Sequence, residues 1–218
     1  MNQYTTHNTM SESSTNITDW RKLTASSIEK VDFDNYSNEQ ARYEMWVSPT
    51  DNPQNPLIAI GLNPCGKTDD ENFSRTTDNL RRIAFNNHYD GLIILNLCPV
   101  ITDRASELRK KDMGLKDSAH QENLKHIRHI AERYKESDVL LCFGKAIVKQ
   151  HLAGYLNDIY SVLHSTNKDR RFFRINASRN GKPYDNPPHP SRISPNTPLE
   201  PMDVEGYINE LCGTDRCR

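Results

Sequence analysis

The sequence predicts an α/β protein, a three-layer sandwich around a central, mainly parallel sheet of four or five strands. Three apolar runs carry the prediction. Residues 57–62, 92–97 and 139–143 are short and nearly uninterrupted in their hydrophobicity, the pattern of strands buried on both faces. The segments between them have helical spacing and a length suited to crossovers, so strand and helix alternate.

Taken in order, residues 42–47 read as a first strand, closed by the turn Asp51-Asn52-Pro53-Gln54-Asn55-Pro56. The run 57–62 is the first buried strand. Leu80, Ile83 and Ala84 then share one helical face, and 92–97 is the next strand. Between residues 117 and 135, Leu124, Ile127, Ile130, Ala131 and Tyr134 recur at three- and four-residue intervals, an amphipathic helix. Strand 139–143, a helix over 144–156 and a final strand over 171–175 follow. Residues 178–202 are rich in Pro, Asn and Ser and predict no regular structure. Val204, Tyr207, Ile208 and Leu211 mark a closing helix over 203–211, capped by Gly213.

The 218 residues suit one sizeable core, which the sequence places over 21–213, with a disordered lead-in at 1–20 and a frayed tail at 214–218. Hydrophobic residues make up 35% and charged residues 26%, a globular balance. The longest apolar runs fall far below the roughly 18 residues of a membrane helix, so no membrane partner is expected. Five cysteines, at 65, 98, 142, 212 and 217, form neither a disulfide framework nor a zinc ribbon, which suits a reducing cytoplasm. A net charge of −1 gives no sign of a nucleic-acid protein, so any such contact must come from local patches. These are Arg81 with Arg82, Arg104 with Arg109, Lys110 and Lys111, and Arg170 with Arg171 and Arg174, each of which also suits a solvated face.

In an open parallel sheet ligands bind beyond the carboxyl ends of the strands, which selects the loops to read. Strand 57–62 empties into Gly61-Leu62-Asn63-Pro64-Cys65-Gly66, and strand 92–97 carries Asn96 at its end. The last strand leads to Asn186-Pro187-Pro188-His189-Pro190-Ser191, a histidine held between prolines and a plausible catalytic group.

Tyr43-Glu44-Met45-Trp46, Leu62-Asn63-Pro64, Arg81-Arg82, Leu95-Asn96-Leu97, Gly144 and His189-Pro190 follow the order of the bacterial domain-of-unknown-function family numbered 1643, which the chain resembles over 42–201. It departs at Cys65, where serine is expected, and in an insertion around 69–76. The same landmarks resemble, more remotely, the uracil-DNA glycosylase superfamily. Gly61-Leu62-Asn63-Pro64 is similar to the Gly-Ile-Asn-Pro-Gly motif of its mismatch-specific branch, and His189-Pro190-Ser191 to its late His-Pro-Ser motif. That resemblance implies an N-glycosidic hydrolase acting on a base in DNA or in a nucleotide, with single-stranded DNA, a flipped base or a nucleotide as partner and no cofactor.

The implied roles suit the chemistry. Breaking an N-glycosidic bond puts positive charge on the sugar and negative charge on the leaving base, so the site needs an oxyanion donor and a held water. His189 would donate to a base carbonyl and Asn63 would orient the water. Asn96 would pair with an imide edge, Phe73 would stack on an extruded base, and Gly61, Leu62, Pro64, Cys65 and Ser191 would line the pocket. The bland alternatives are a turn amide for Asn63, a satisfied loop amide for Asn96, a core role for Phe73 and a structural role for His189. Cys65 beside His189 also suits a thiol–imidazole pair. His126 with His129, and Cys212 with Cys217, are weak metal-ligand spacings better explained by a solvated helix and a frayed end. A non-catalytic module binding a nucleotide or nucleic acid in the same pocket is the alternative function.

Overall fold

The computed structural model describes residues 31–36, 39–65, 74–102, 104–110, 113–149 and 151–213. Gly66, Phe73, Cys217, the expected lead-in and the expected tail lie outside the described residues. The chain runs β1 (Val31–Tyr36), β2 (Glu39–Val47), β3 (Pro56–Gly61), α1 (Arg75–Asn86), β4 (Gly91–Asn96), α2 (Met113–Arg133), β5 (Val139–Leu141), α3 (Ala146–Lys149), α4 (Ala153–Thr166) and β6 (Phe172–Ile175). It closes with the small hairpin β7 (Ser178–Arg179) and β8 (Lys182–Pro183), then β9 (Leu199–Pro201) and α5 (Val204–Gly213).

The main sheet has the order β1-β2-β4-β3-β5-β6-β9. Its centre, β4-β3-β5-β6, is parallel, whereas β1, β2 and β9 join antiparallel at the two sides. The sheet therefore has seven strands rather than four or five. The two missed strands are edges, which need no two-sided burial and so carry no apolar run: β1 reads Val-Asp-Phe-Asp-Asn-Tyr, and β9 ends on Pro201.

Three further expectations are corrected. The single helix expected over 144–156 is divided into α3 and α4, with His151 at φ 56°, a left-handed conformation that a helix interior does not take. The strand at 172–175 is not the last. The stretch 178–202, expected to be irregular, holds the β7–β8 hairpin, a 3₁₀ turn at Pro190–Arg192 and β9.

Alternation of side chains along the central strands builds two cores. Ile58, Ile60, Ile93, Leu95 and Leu141 face Ile127 and Ile130 of α2, Leu156 and Ile159 of α4, and Tyr207 of α5. Leu57, Ala59, Leu92, Ile94 and Leu140 face Leu80, Ile83 and Ala84 of α1. From β3 the chain crosses by α1 to β4 on one side, then by α2 back over the opposite face to β5 on the other side of β3. The winding therefore reverses between β3 and β5, and the carboxyl ends at such a reversal are where open α/β sheets hold their ligand crevice.

Candidate functional site

The loops after β4, β3 and β5 leave neighbouring strand ends, and their backbones continue the ladder beyond the sheet. Leu97 N–H donates to Gly61 C=O and Cys98 N–H to Leu62 C=O, both at 2.9 Å, while Thr102 N–H reaches Pro64 C=O at 3.2 Å. The loop that holds Asn63 is thus fixed to the one that follows Asn96. On the other side, Gly144 N–H donates to Pro187 C=O at 2.8 Å and brings the His189 loop to the end of β5. Asn63 follows β3 and Asn96 ends β4, while His189, on the segment between β8 and β9, is docked at the end of β5, so the three loops meet at adjacent strand ends.

Asn63 is half-buried. Its Nδ2 donates to Pro64 C=O, Thr102 C=O and Thr102 Oγ1 at 3.0, 3.2 and 2.9 Å, so the amine half of the amide is spent on the loops. Among the described residues its Oδ1 takes no hydrogen bond.

Asn96 is only 4% exposed. Its register partner is Gly61, and the carboxamide fills the space beside that glycine. The Asn96 backbone carbonyl accepts from Nδ2 of Asn123, a fully buried α2 residue, at 2.8 Å. Among the described residues the Asn96 side-chain amide makes no hydrogen bond.

His189 is solvent-accessible by surface yet has protein on several sides. Its Nδ1 accepts from Ser191 N–H at 3.3 Å and lies 2.9 Å from Ser191 Oγ. An amide N–H can only donate, so this geometry leaves Nδ1 unprotonated and puts the ring proton on Nε2. Desolvation, followed by the nearby charge of Arg192, holds the imidazole pKa below its usual 6.5, which favours the neutral form. The loop is anchored on both faces of the sheet: Asn79 Nδ2 of α1 donates to Pro190 C=O at 2.8 Å and Ile193 C=O at 3.2 Å, and Tyr207 Oη of α5 donates to Asn186 Oδ1 at 2.7 Å.

Of the other lining residues, Leu62 and Pro64 are buried, while Gly61, Cys65 and Ser191 are partly exposed. Cys65 is a free thiol. The buried Cys142, whose thiol pKa is pushed up to about 12 by desolvation, is an inert core residue. His126 is structural as well: it lies 2.7 Å from Glu44 Oε1 and stacks on Tyr43.

Two of the three basic clusters are compensated locally. Arg81 and Arg82 both pair with Asp78, Arg171 with Asp138 and Arg174 with Glu200. Buried Arg170 donates to the carbonyls of Ala131, Tyr134 and Ser137 and so caps α2. The side chains of Arg109, Lys110 and Lys111 lie outside the described residues.

Sequence reading missed Asn79 and Asn123, which hold the loops, and Arg42, read only as the start of a strand. Asn123 lies on the buried face of an amphipathic helix, and a polar residue on an apolar stripe was the available signal.

The family described as a protein of unknown function (DUF1643) matches residues 42–191. The chain belongs to this family. The DUF1643 region begins at Arg42 on β2 and ends at Ser191, so it spans every loop described above. No curated protein and no solved structure was found to match the chain.

Proposed function

We propose that the crevice between the β4, β3 and β5 loops takes a base of DNA or of a nucleotide and hydrolyses its N-glycosidic bond. One observation carries the reading. Asn96 is almost wholly buried, yet its amide has no hydrogen-bond partner among the described residues. The amide is therefore free to meet a ligand, and a base edge with one donor and one acceptor satisfies both halves of an amide at once.

The neighbouring groups supply the remaining chemistry. His189, neutral with its proton on Nε2, donates to a carbonyl of the departing base and stabilises the negative charge that develops there. The Oδ1 of Asn63 accepts from a water and aims its lone pair at the sugar carbon as positive charge grows on it. The uracil-DNA glycosylase likeness noted from Gly61-Leu62-Asn63-Pro64 and His189-Pro190-Ser191 supports the same roles. With Nδ2 of Asn63 committed to the loops, a pocket that binds the base without cleaving it is the second reading.

The test is to incubate the protein with single-stranded oligonucleotides and nucleotides containing uracil, hypoxanthine or modified pyrimidines, treating the oligonucleotides with alkali to reveal abasic sites. Base release that falls about 10²–10³-fold in His189→Ala is the expected result. Release unchanged in that variant overturns the role of His189. Tight binding without release selects the second reading.

A further inference from the structure

The first residue of the family match, Arg42, is a buried cation with no counter-charge among the described residues. It is 6% exposed, and no hydrogen bond or ion pair is formed by its guanidinium among the described residues; Nε in particular is fully enclosed and unpaired. The other buried arginines among the described residues have structural partners: Arg81 has Asp78, and Arg170 has three carbonyls. Burying an uncompensated charge is costly, and a fold retains one where an anion arrives to meet it.

Three features aim Arg42 at the crevice. β2 runs antiparallel to β4, so its amino-terminal half overhangs the carboxyl end of the parallel sheet, with Arg42 N–H donating to Pro99 C=O at 2.9 Å beyond the end of β4. A bulge leaves Tyr43 without a register partner, between Glu44 opposite Asp32 and Arg42 opposite Phe33. Tyr43 and Glu44 both contact His126 of α2, so the bulge turns Arg42 toward the opposite face, the one that holds Gly61 and Asn96. Finally, Cys65 in the β3 loop lies within electrostatic range of the guanidinium. Among the described residues no carboxylate influences its charge, and burial pushes its pKa below the usual arginine value.

We infer that Arg42 is an anion-binding residue of this crevice and that the substrate carries a phosphate, which the guanidinium holds while the base lies toward Asn96. The planar fork suits two phosphate oxygens, and in a water-poor site such charge-assisted bonds are strong. The site then selects a nucleotide or a phosphodiester over a nucleoside or free base. The position of the base rests on the function proposed above, whereas the anion site stands on Arg42 alone.

The experiment uses the full chain and two kinds of probe. Inorganic phosphate, titrated against chloride at constant ionic strength, is expected to raise the melting temperature saturably; in Arg42→Met the shift is lost, while the melting temperature in chloride stays level or rises because an unpaired buried charge is gone. Deoxyuridine, deoxyuridine 5′-monophosphate and a short uracil-containing single strand are then compared by calorimetry. The phosphorylated ligands are expected to bind the wild type about tenfold or more tightly than the nucleoside, with the ratio near one in Arg42→Met. The monophosphate against the strand tells a terminal phosphate from a diester.

A phosphate shift of equal size in Arg42→Met, or no shift in the wild type, overturns the anion site. Should Arg42→Met fail to fold, the wild-type arms decide: equal affinity for nucleoside and monophosphate overturns it, and Arg42→Lys, with weakened but detectable phosphate binding, supports it. Arg42-dependent phosphate binding without any discrimination between bases leaves the anion site standing and removes only the base-reading role of Asn96.

Discussion

The Oδ1 of Asn96 lies 2.8 Å from where a Cβ on Gly61 would stand, so the glycine is what leaves room for the amide. Gly61→Ala must push the carboxamide out of place or move the strand end. The expected outcome is a loss of ligand affinity with a melting temperature lowered by no more than about 2–4 °C, the equivalent of roughly 1 kcal/mol for a chain of this size. Calorimetric titration beside a thermal melt checks it, and unchanged affinity would show that the Asn96 amide contributes nothing to binding.

Selectivity follows from the two halves of the same amide. Uracil presents an imide N–H beside a carbonyl, whereas cytosine presents an acceptor beside an exocyclic amine. Asn96→Asp keeps an acceptor for the amine and loses the donor to the carbonyl. It is expected to shift preference from uracil-like toward cytosine-like bases by about tenfold or more, since each unpaired buried group costs about 1–3 kcal/mol. The ratio of affinities or release rates for the two bases, measured in both proteins, is the readout.

Gly144 supports His189 in two ways. It sits at φ 70°, where side chains are strained, and a Cβ on it would lie 3.2 Å from the Cβ of His189. Gly144→Ala is expected to destabilise the fold by about 1–3 kcal/mol and to displace the His189 loop. Denaturant unfolding gives the first effect. A fall in activity larger than the loss of folded protein gives the second.

Two histidines set an acid limit on stability. His120 is buried, 3.1 Å from Asp158 and stacked on Tyr155, and desolvation holds its pKa below 6.5 despite the opposing pull of Asp158. His189 is lowered in the same sense. For both groups the unfolded chain binds protons more readily than the folded one, so their contribution is complete above the unfolded pKa of about 6.5 and is lost as pH falls from there through the folded values. Denaturation midpoints are expected to be lower at pH 5.5 than at pH 7.5, and the difference should shrink in His120→Gln. A pH-independent midpoint would contradict the direction of both shifts.

What the sequence by itself determined is local and periodic. The runs 57–62 and 92–97 mark β3 and β4, and the first three residues of 139–143 are β5, because a strand buried on both faces must be apolar throughout. The faces of α1, α2 and α5 were legible for the same reason, and once strands are assigned, their carboxyl ends select Asn63, Asn96 and the His189 loop. Edge strands β1 and β9 escaped, since an edge strand needs no continuous apolar run.

Only the tertiary structure decided which strand stands beside which. That β5 lies next to β3, placing Asn63 and the His189 loop on either side of the winding reversal, depends on the path of two crossovers and leaves no trace in residue spacing. The same holds for Gly61 against Asn96, Gly144 against His189 and Asn123 against the Asn96 carbonyl, where the partners are separated by tens of residues. Arg42 is the clearest case. In sequence it is one more charge at the start of a strand, and a bulge at Tyr43 together with the overhang of β2 makes it a buried cation, because burial is a property of the packed fold rather than of any segment.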